Sequence, residues 1–474
     1  MKNAEKALAR QQRELQRRER QLNARGNRFY LVYLFMILAL IYIVDEIAST
    51  ISIQFQTNIV QEFFVQNMGM EYGEGLSLLS ALGFITYPVT ALIVLYRPLA
   101  DKFGRKPFLI VNTLCMATGL FIVYLSKNIY VYMIGSTLMG FMVSHDMQCV
   151  YILECSDEKT RARNYAIVKA VAILGTLLVP LLRDTLMKNV SERWHLVYLV
   201  PAIVGFCMAL FALLFAKETT TFLVKRIAYL KTTEEERQQQ TKEQKEANSQ
   251  GGIINAIKFA FRHRQLRFLI VTCCCFYLAS LATSTYSTVM SQSAKMSEEE
   301  ITQALYLYPV GNALFTFIAG MLSDRFGRKT TIITMSASAV VCYSAFIAFG
   351  VLHLTPYLTG FFIGGFMGSY WGAGDTIGGI MFSESAPTNL RSSVTVINTL
   401  LNGIMGGLAT IITMVLLPII PEEMFGYMYL GLTVPGLIAA IIVMWKFVGE
   451  TRGLDLKKVT GMEWDKPKKS VPKE

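Results

Sequence analysis

Long apolar segments separated by short polar loops run through most of the sequence. A helix needs about 20 apolar residues to cross the hydrocarbon core of a membrane, and about twelve segments approach that length. The pattern therefore predicts an all-α membrane protein with twelve transmembrane helices. The predicted helices lie at residues 29–52, 76–96, 108–126, 129–151, 164–187, 194–216, 266–290, 303–322, 331–350, 355–382, 393–418 and 424–448.

Polar segments at both ends and in the middle of the chain set the predicted domain boundaries. Residues 1–28 are rich in Arg, Gln and Glu, and their periodicity predicts a short helix in a basic cytoplasmic N-terminal tail. This tail either helps to fix the topology or binds anionic lipid. Residues 218–264 form a polar cytoplasmic linker between two bundles at 29–217 and 265–449, and a cytoplasmic C-terminal tail follows at 450–474.

Basic residues concentrate in alternate loops. Loops 97–107, 154–163 and 323–330 carry Arg and Lys, as the positive-inside rule predicts for cytoplasmic loops. Both termini are then cytoplasmic, and we expect a multi-pass protein of the cell membrane. Loop 183–193 is an exception, since it should be external but carries Arg183, Lys188 and Arg193.

The composition agrees with a lipid-facing surface. The chain is 53% hydrophobic and 17% charged, whereas soluble domains carry about 25% charged residues. The formal net charge of +11 lies mainly at segment ends and in loops, which indicates a membrane protein and no nucleic-acid partner.

The sequence offers little for cofactor or enzyme chemistry. Its 8 cysteines include three consecutive ones, Cys273, Cys274 and Cys275, and lack CxxC spacing, so we interpret them as small packing residues. The histidines are scattered, so we expect no metal site. A phosphate-binding GxxxxGK[ST] loop and a convincing nucleophile–base pair are both missing. We expect no enzyme activity and no cofactor.

The chain repeats a loop motif across the linker. Residues 101–106 read Asp-Lys-Phe-Gly-Arg-Lys and residues 324–329 read Asp-Arg-Phe-Gly-Arg-Lys, each between the second and third predicted helices of its half. Glycine permits a tight turn there, and the Asp can accept hydrogen bonds from the N-terminus of a neighbouring helix. A duplicated motif at the same topological place predicts two six-helix, pseudo-symmetric bundles.

A second repeated pair follows the fourth and tenth predicted helices. Glu154 precedes Arg161 by the same interval as Glu384 precedes Arg391. These charges either latch the cytoplasmic helix ends together or act only as a topology signal, and the duplication favours the latch. The predicted cytoplasmic gate comprises Asp101, Gly104, Arg105, Glu154, Arg161, Asp324, Gly327, Arg328, Glu384 and Arg391.

These motifs resemble the major facilitator superfamily over essentially the whole chain. The family loop begins with a Gly, which the second copy keeps at Gly320 and the first replaces with Arg97. Within the superfamily, the segments at 151–161 and 383–391 and the Glu-Thr-Arg-Gly-Leu at 450–454 are similar to sugar porters and organic-ion transporters. The resemblance implies the major facilitator fold and transport by alternating access.

The residues that bind sugar in sugar porters are mostly missing. The seventh predicted helix has no Gln-Gln pair, and the tenth lacks Gly-Pro-x-x-Trp. Lys169 stands where sugar porters commonly have a sugar-binding Gln, and Met133 and Ile134 replace the Arg that partners the acid of the first helix. The resemblance therefore implies the architecture and leaves the solute open.

Acidic residues within the predicted helices are candidates for proton coupling. A charge at membrane depth costs several kcal/mol, and it usually has a function. Burial disfavours the charged form of an acid, as a proton carrier requires. Each acid could instead be a structural group bonded to a neighbouring helix. The candidates are Asp45, Glu46, Asp146 and Asp375.

Polar and aromatic side chains on the helix faces are candidates for solute binding. Lys169 either binds an anionic group of the solute, pairs with an acid of the coupling network, or extends to the cytoplasmic edge. The others are amide, hydroxyl and aromatic groups suited to a small organic solute. The predicted binding residues are Lys169, Tyr42, Tyr277, Ser284, Tyr306, Asn312, Tyr370, Trp371, Asn398 and Asn402.

The sequence therefore predicts a secondary active transporter of a small organic solute. Because Lys169 replaces a neutral sugar ligand, we expect proton-coupled symport of an organic acid or another carboxylated metabolite. A proton-coupled sugar or polyol symporter and a proton-driven exporter of cationic or amphipathic compounds are the alternatives. We expect protons, the solute and the lipid bilayer as partners, and a monomer.

Overall fold

The computed structural model of the chain is helical throughout the part that it describes. It describes residues 2–23, 28–92, 96, 99–143, 147–156, 161–187, 193–232, 253–387, 390–454 and 459. The contacts divide the chain into two compact units. Unit 1 consists of Met1–Asn58 and Leu82–Lys242, and unit 2 consists of Ile59–Ala81 and Glu243–Glu474.

Residues 2–242 form eleven main helices within the described ranges. They are α1 (Lys2–Asn23), α2 (Arg28–Gln54), α3 (Tyr72–Ala91), α4 (Leu99–Phe103), α5 (Arg105–Tyr124), α6 (Ile129–Val143), α7 (Met147–Cys155), α8 (Arg161–Gly175), α9 (Leu178–Leu186), α10 (Trp194–Phe215) and α11 (Thr220–Lys231). A short helix at Gln56–Val60 and a π-helical turn at Gln61–Gln66 follow α2.

The remainder of the chain contains seven main helices within its described residues. They are α12 (Ile253–Arg262), α13 (Arg264–Tyr277), α14 (Glu298–Phe326), α15 (Arg328–Val351), α16 (Pro356–Asp375), α17 (Arg391–Leu416) and α18 (Phe425–Phe447). Short turns extend α13 through Leu278–Ser280, Leu281–Ser284, Tyr286–Thr288 and Val289–Ser293, and others lie at Thr376–Met381, Phe382–Glu384 and Glu422–Met424.

The all-helical prediction is confirmed. Eight helices in the described part of the chain are long and apolar enough to cross a membrane. The fourth and fifth predicted segments each contain two shorter helices, α6 with α7 and α8 with α9. Helix α16 is not one of these eight helices. Its many glycines lower its mean hydropathy without making the helix polar.

A glycine stripe brings α16 against α14. Cβ atoms built at Gly360, Gly364 and Gly368 would meet the backbone carbonyl oxygens of α14 residues. These glycines recur every four residues, so they lie on one face of the helix. Small residues permit such close approach of two backbones within a membrane. The π-helical turn at Thr376–Met381 follows this packed segment directly.

Arg183 does not lie in an external loop, contrary to its assignment in the sequence analysis. It belongs to α9 and is only 2% exposed. Its guanidinium lies 4.6 Å from the centre of the Phe55 ring, and Nη1 donates to the carbonyl oxygen of Gln54 at 3.4 Å. A buried arginine held by packing does not act as a loop charge, so it is no exception to the charge pattern of the loops.

Candidate functional site

The first repeated loop forms a bonded cluster at the start of α5. The guanidinium of Arg105 contacts Oε1 of Glu154 through Nη2 at 3.1 Å and through Nε at 3.2 Å. It also pairs with Asp101 at 2.7 Å. The second oxygen of the Glu154 carboxylate accepts from the hydroxyl of Thr219 at 2.5 Å. Arg105 is itself buried. Through Glu154, it connects α5 to α7 and to Thr219 in the segment before α11.

Glu218 caps the N-terminus of α5. Its Oε1 accepts from the backbone amides of Arg105 at 2.9 Å and Lys106 at 3.2 Å. The preceding Gly104 has a φ of +116°, and a Cβ there would collide with the Glu218 carboxylate. Burial raises the pKa of Glu218, while the amides of Thr219, Arg105 and Lys106 oppose the shift. We call Arg105, Glu154, Glu218 and Thr219 the first loop cluster.

The second repeated loop forms the same arrangement within unit 2. Nη2 of Arg328 lies 3.4 Å from Oε1 of Glu384, whose other oxygen accepts from the hydroxyl of Thr451 at 2.6 Å. Glu450 accepts from the amides of Arg328 at 2.8 Å and Lys329 at 3.0 Å. We call Arg328, Glu384, Glu450 and Thr451 the second loop cluster. Each unit thus repeats the same hydrogen-bond pattern.

The carboxylates that cap α5 and α15 are not the expected ones. We expected the aspartates of the repeated loops to accept from a helix N-terminus. The side chains of Asp101 and Asp324 are instead 75% and 90% exposed, and each pairs with the arginine four residues further on. Glu218 and Glu450 take that role: they follow the ends of α10 and α18 and accept from the first backbone amides of α5 and α15.

Glu218 and Thr219 were not among the residues predicted from the sequence. The signal was present, because Glu218-Thr219 repeats Glu450-Thr451 at the same place after the last apolar helix of each half. Among the other predicted gate residues, Arg391 donates through Nε to the carbonyl oxygen of Ser383 at 2.9 Å. The Arg161 side chain lies outside the described part of the structure.

Asp45 lies in the core of unit 1 and is hydrogen-bonded to an amide. Its side chain is 4% exposed, and Oδ2 accepts from Nε2 of Gln148 in α7 at 3.0 Å. Gln148 is itself 2% exposed, and it was not predicted from the sequence as a site residue. The neighbouring Glu46 is half-buried, and its backbone carbonyl accepts from Ser49 at 2.8 Å. Asp146 lies outside the described residues.

Lys169 and Tyr42 occupy different environments in unit 1. Tyr42 is buried in the cluster of apolar side chains that joins α2 to α7 and α8. Lys169 is half-buried on α8, with Nζ 5.9 Å from the centre of the Tyr165 ring on the same helix. Lys169 is therefore partly accessible, whereas Tyr42 is enclosed.

In unit 2, the structure brings several predicted binding residues together. The hydroxyl of Tyr277 donates to Oδ1 of Asn398 in α17 at 2.9 Å. Tyr370 stacks on Phe276 with ring centres 4.6 Å apart. Asp375 is exposed at the end of α16 and is close enough to Tyr277 to interact with it electrostatically. Helices α13, α16 and α17 thus contribute to one polar and aromatic group.

The remaining predicted binding residues are more dispersed. Ser284 donates to the carbonyl oxygen of Leu281 in its own turn at 3.1 Å. The side chain of Asn312 accepts from Thr316 on α14 at 3.3 Å. Trp371 is exposed, although its neighbour Tyr370 is buried. Two further residues are half-buried, Tyr306 and Asn402.

Comparisons with known proteins agree with this architecture. A sequence profile of the Major Facilitator Superfamily matches residues 31–410 and 278–471. The chain belongs to this superfamily. It is a multi-pass membrane transporter and not an enzyme, and the twelve-helix fold class predicted from the sequence is confirmed.

Individual relatives of this family member are distant. The chain is 24% identical to the class H tetracycline resistance protein of Pasteurella multocida, over 65% of this chain and 71% of that protein. It is also 24% identical to the glucose transporter GlcP of Staphylococcus epidermidis, over 76% of this chain and 83% of that one. An inward-open structure of the xylose transporter XylE from E. coli matches with a TM-score of 0.62 at 16% identity, covering 90% of this chain and 98% of XylE.

Proposed function

We propose that this transporter is a proton-coupled symporter of a small organic acid or another carboxylated metabolite. It would act as a monomer in the cell membrane, with both termini in the cytoplasm. The observation that carries proton coupling is the buried carboxylate of Asp45, hydrogen-bonded to the amide of Gln148. A buried acid with an amide donor can exist in charged and neutral forms, so it can take up and release a proton during the transport cycle.

Lys169 supports a carboxylated solute. It is a half-buried cation on α8, whose packing partner α2 carries Asp45. An ammonium group binds a carboxylate through charge-assisted hydrogen bonds, whereas a neutral sugar offers it only hydroxyl groups. Glu46 and Asp375 remain further candidates for the coupling network.

A sugar or polyol is the second candidate solute. The neutral Tyr277–Asn398 pair in unit 2 offers hydroxyl and amide groups, and GlcP and XylE are sugar transporters by name. Aromatic and amide groups together suit a hydroxylated ring, which can stack and accept several hydrogen bonds.

The two loop clusters are proposed to form the cytoplasmic gate. In each, one arginine joins a helix start to a glutamate that lies further along the chain, and a second glutamate caps that start. Charge-assisted bonds of this kind hold helix ends in one arrangement and can break when the ends separate. The gate would then open through loss of the Arg105–Glu154 and Arg328–Glu384 contacts.

Uptake by the purified protein in proteoliposomes tests the proposal. Labelled carboxylates and sugars are offered with and without an inward proton gradient. We expect carboxylate uptake that is driven by the proton gradient. Lys169→Gln should reduce this uptake at least about tenfold, which corresponds to about 1.4 kcal/mol. Replacing the exposed Lys225 with Gln is the control and should leave uptake unchanged. Uptake of sugar without carboxylate would replace the first candidate by the second. Full gradient dependence in an Asp45→Asn, Glu46→Gln double variant would exclude these acids from coupling.

A further inference from the structure

The N-terminal helix α1 packs against α11 through its acidic residues. The carboxylate of Glu14 accepts from Arg226 through Nε at 2.9 Å and through Nη2 at 3.1 Å. Glu19 pairs with Lys231 at 2.8 Å. Gln11 donates to the backbone of α11 as well. These contacts fix the rotation of α1 about its own axis.

Docking on α11 leaves a basic stripe on the outer face of α1. From position 11 to position 23, the exposed residues are Gln12, Arg13, Gln16, Arg17, Arg20 and Asn23. This exposed set contains three arginines and no acidic residue, since both glutamates of this stretch face basic partners on α11. The helix has mixed charge in the sequence, and packing separates its charges onto two faces. We call Arg13, Arg17 and Arg20 the arginine stripe.

The chain ties the end of α1, near the arginine stripe, to the start of a membrane-crossing helix. Helix α1 ends at Asn23 and α2 begins at Arg28, so the connection spans at most about 18 Å. The membrane-crossing part of α2 begins at Val32. Helix α11 likewise starts at Thr220, shortly after α10 ends at Phe215. Both helices of the docked pair are therefore tethered next to the ends of membrane-crossing helices.

We propose that the arginine stripe is a binding surface for the anionic headgroups of phospholipids. Arginine forms bidentate hydrogen bonds to phosphate, and each basic residue near an anionic leaflet adds attraction that decays within about 10 Å at ordinary salt. The short tether keeps the stripe near the headgroups, which favours lipid over a soluble anion. This surface is separate from the proposed solute and proton sites, and it does not depend on which solute is carried.

Hydrogen exchange of the full-length protein in vesicles tests this surface. The protein is reconstituted in phosphatidylcholine alone and in an equal mixture of phosphatidylcholine and phosphatidylglycerol. We expect backbone amides of residues 2–23 to exchange at least about fivefold more slowly in the mixture. Fivefold is about the effect expected from a single basic residue that contacts an anionic surface. High salt should remove this difference.

Three variants separate the stripe from the docking contacts. The triple variant R13Q/R17Q/R20Q should lose the lipid-dependent slowing. A matched variant, K258Q/R262Q/R264Q, removes the same charge from α12 and the first residue of α13, and it should keep the lipid-dependent slowing. Glu14→Gln should speed exchange of α1 in both lipids, because it weakens docking on α11 and leaves the stripe intact.

Three outcomes would overturn the proposal. The first is equal exchange of residues 2–23 in the two lipids. The second is slowing by phosphatidylglycerol that the triple variant retains, which would place the lipid contact elsewhere on α1. The third combines two results: phosphatidylglycerol has no effect, and soluble inositol hexakisphosphate slows exchange of residues 2–23 in phosphatidylcholine vesicles. That combination would assign the stripe to a soluble polyanion.

Discussion

Replacing Gly327 with alanine tests the cap of the second loop cluster directly. Gly327 has a φ of +100°, a conformation that residues with a Cβ rarely adopt. A Cβ at this position would lie 2.5 Å from Oε2 and 2.7 Å from Cδ of Glu450. The alanine therefore strains the backbone and displaces the carboxylate that accepts from the amides of Arg328 and Lys329.

The expected cost combines two local effects. A residue held in a sparsely populated backbone conformation costs about 1–3 kcal/mol. Loss of a side-chain cap costs a further 0.5–2 kcal/mol, approximately. Gly327→Ala should thus weaken the start of α15 by roughly 1.5–5 kcal/mol, and even the lower value corresponds to about a tenfold change in an equilibrium constant.

Hydrogen exchange at the start of α15 measures this effect. The amides of Arg328 and Lys329 should exchange at least about tenfold faster in Gly327→Ala than in the unmodified protein. Gly320→Ala is the matched control, because a Cβ built there meets no described atom within 4 Å apart from the neighbouring backbone of its own helix. If both variants exchange at the same rate at these two amides, the proposed cap by Glu450 is refuted.

Three further predictions follow from the hydrogen-bond partners. Gln148→Leu deprives the buried Asp45 carboxylate of a donor and should lower stability by about 1–3 kcal/mol in thermal melts, with partial recovery when Asp45 is also changed to Leu. The Arg226 guanidinium lowers the pKa of Glu14. The ion pair therefore stabilises docking of α1 above the ordinary glutamate pKa of about 4.3, and this stabilisation is lost as the pH falls below that value. Hydrogen exchange of residues 2–23 as a function of pH measures the loss. Thr451→Val removes the hydroxyl donor of the second loop cluster and should cost about 1 kcal/mol in thermal stability, whereas Thr451→Ser should retain most of it.

Each of these predictions has a result that would contradict it. A Gln148→Leu variant as stable as the unmodified protein would mean that Asp45 does not depend on the amide. Acid-induced loss of α1 protection that persists in Glu14→Gln would assign the pH effect to another group. Equal melting temperatures for the Val and Ser variants at position 451 would show that the hydroxyl does not matter there.

The helical membrane fold and its duplication could be predicted from the sequence. Helix formation and membrane insertion depend on local composition, so the apolar segments could be read directly from the chain. The duplicated Asp-x-Phe-Gly-Arg-Lys loops also identified the regions where the two loop clusters form. Gly104 and Gly327 were recognisable as turn residues because only their own backbone conformation was at issue.

Which side chains meet could not be predicted from the sequence. Glu218 caps α5 from 113 positions away, and Gln148 reaches Asp45 across 103 positions. Such partners depend on how helices rotate and pack, which the pattern of apolar residues does not specify. Arg183 was likewise predicted to be a loop charge, whereas in the structure it is a buried, packed side chain. The same physical reason applies to α1, whose sequence contains both basic and acidic residues. Its arginines form a separate stripe only because Glu14 pairs with Arg226 on α11.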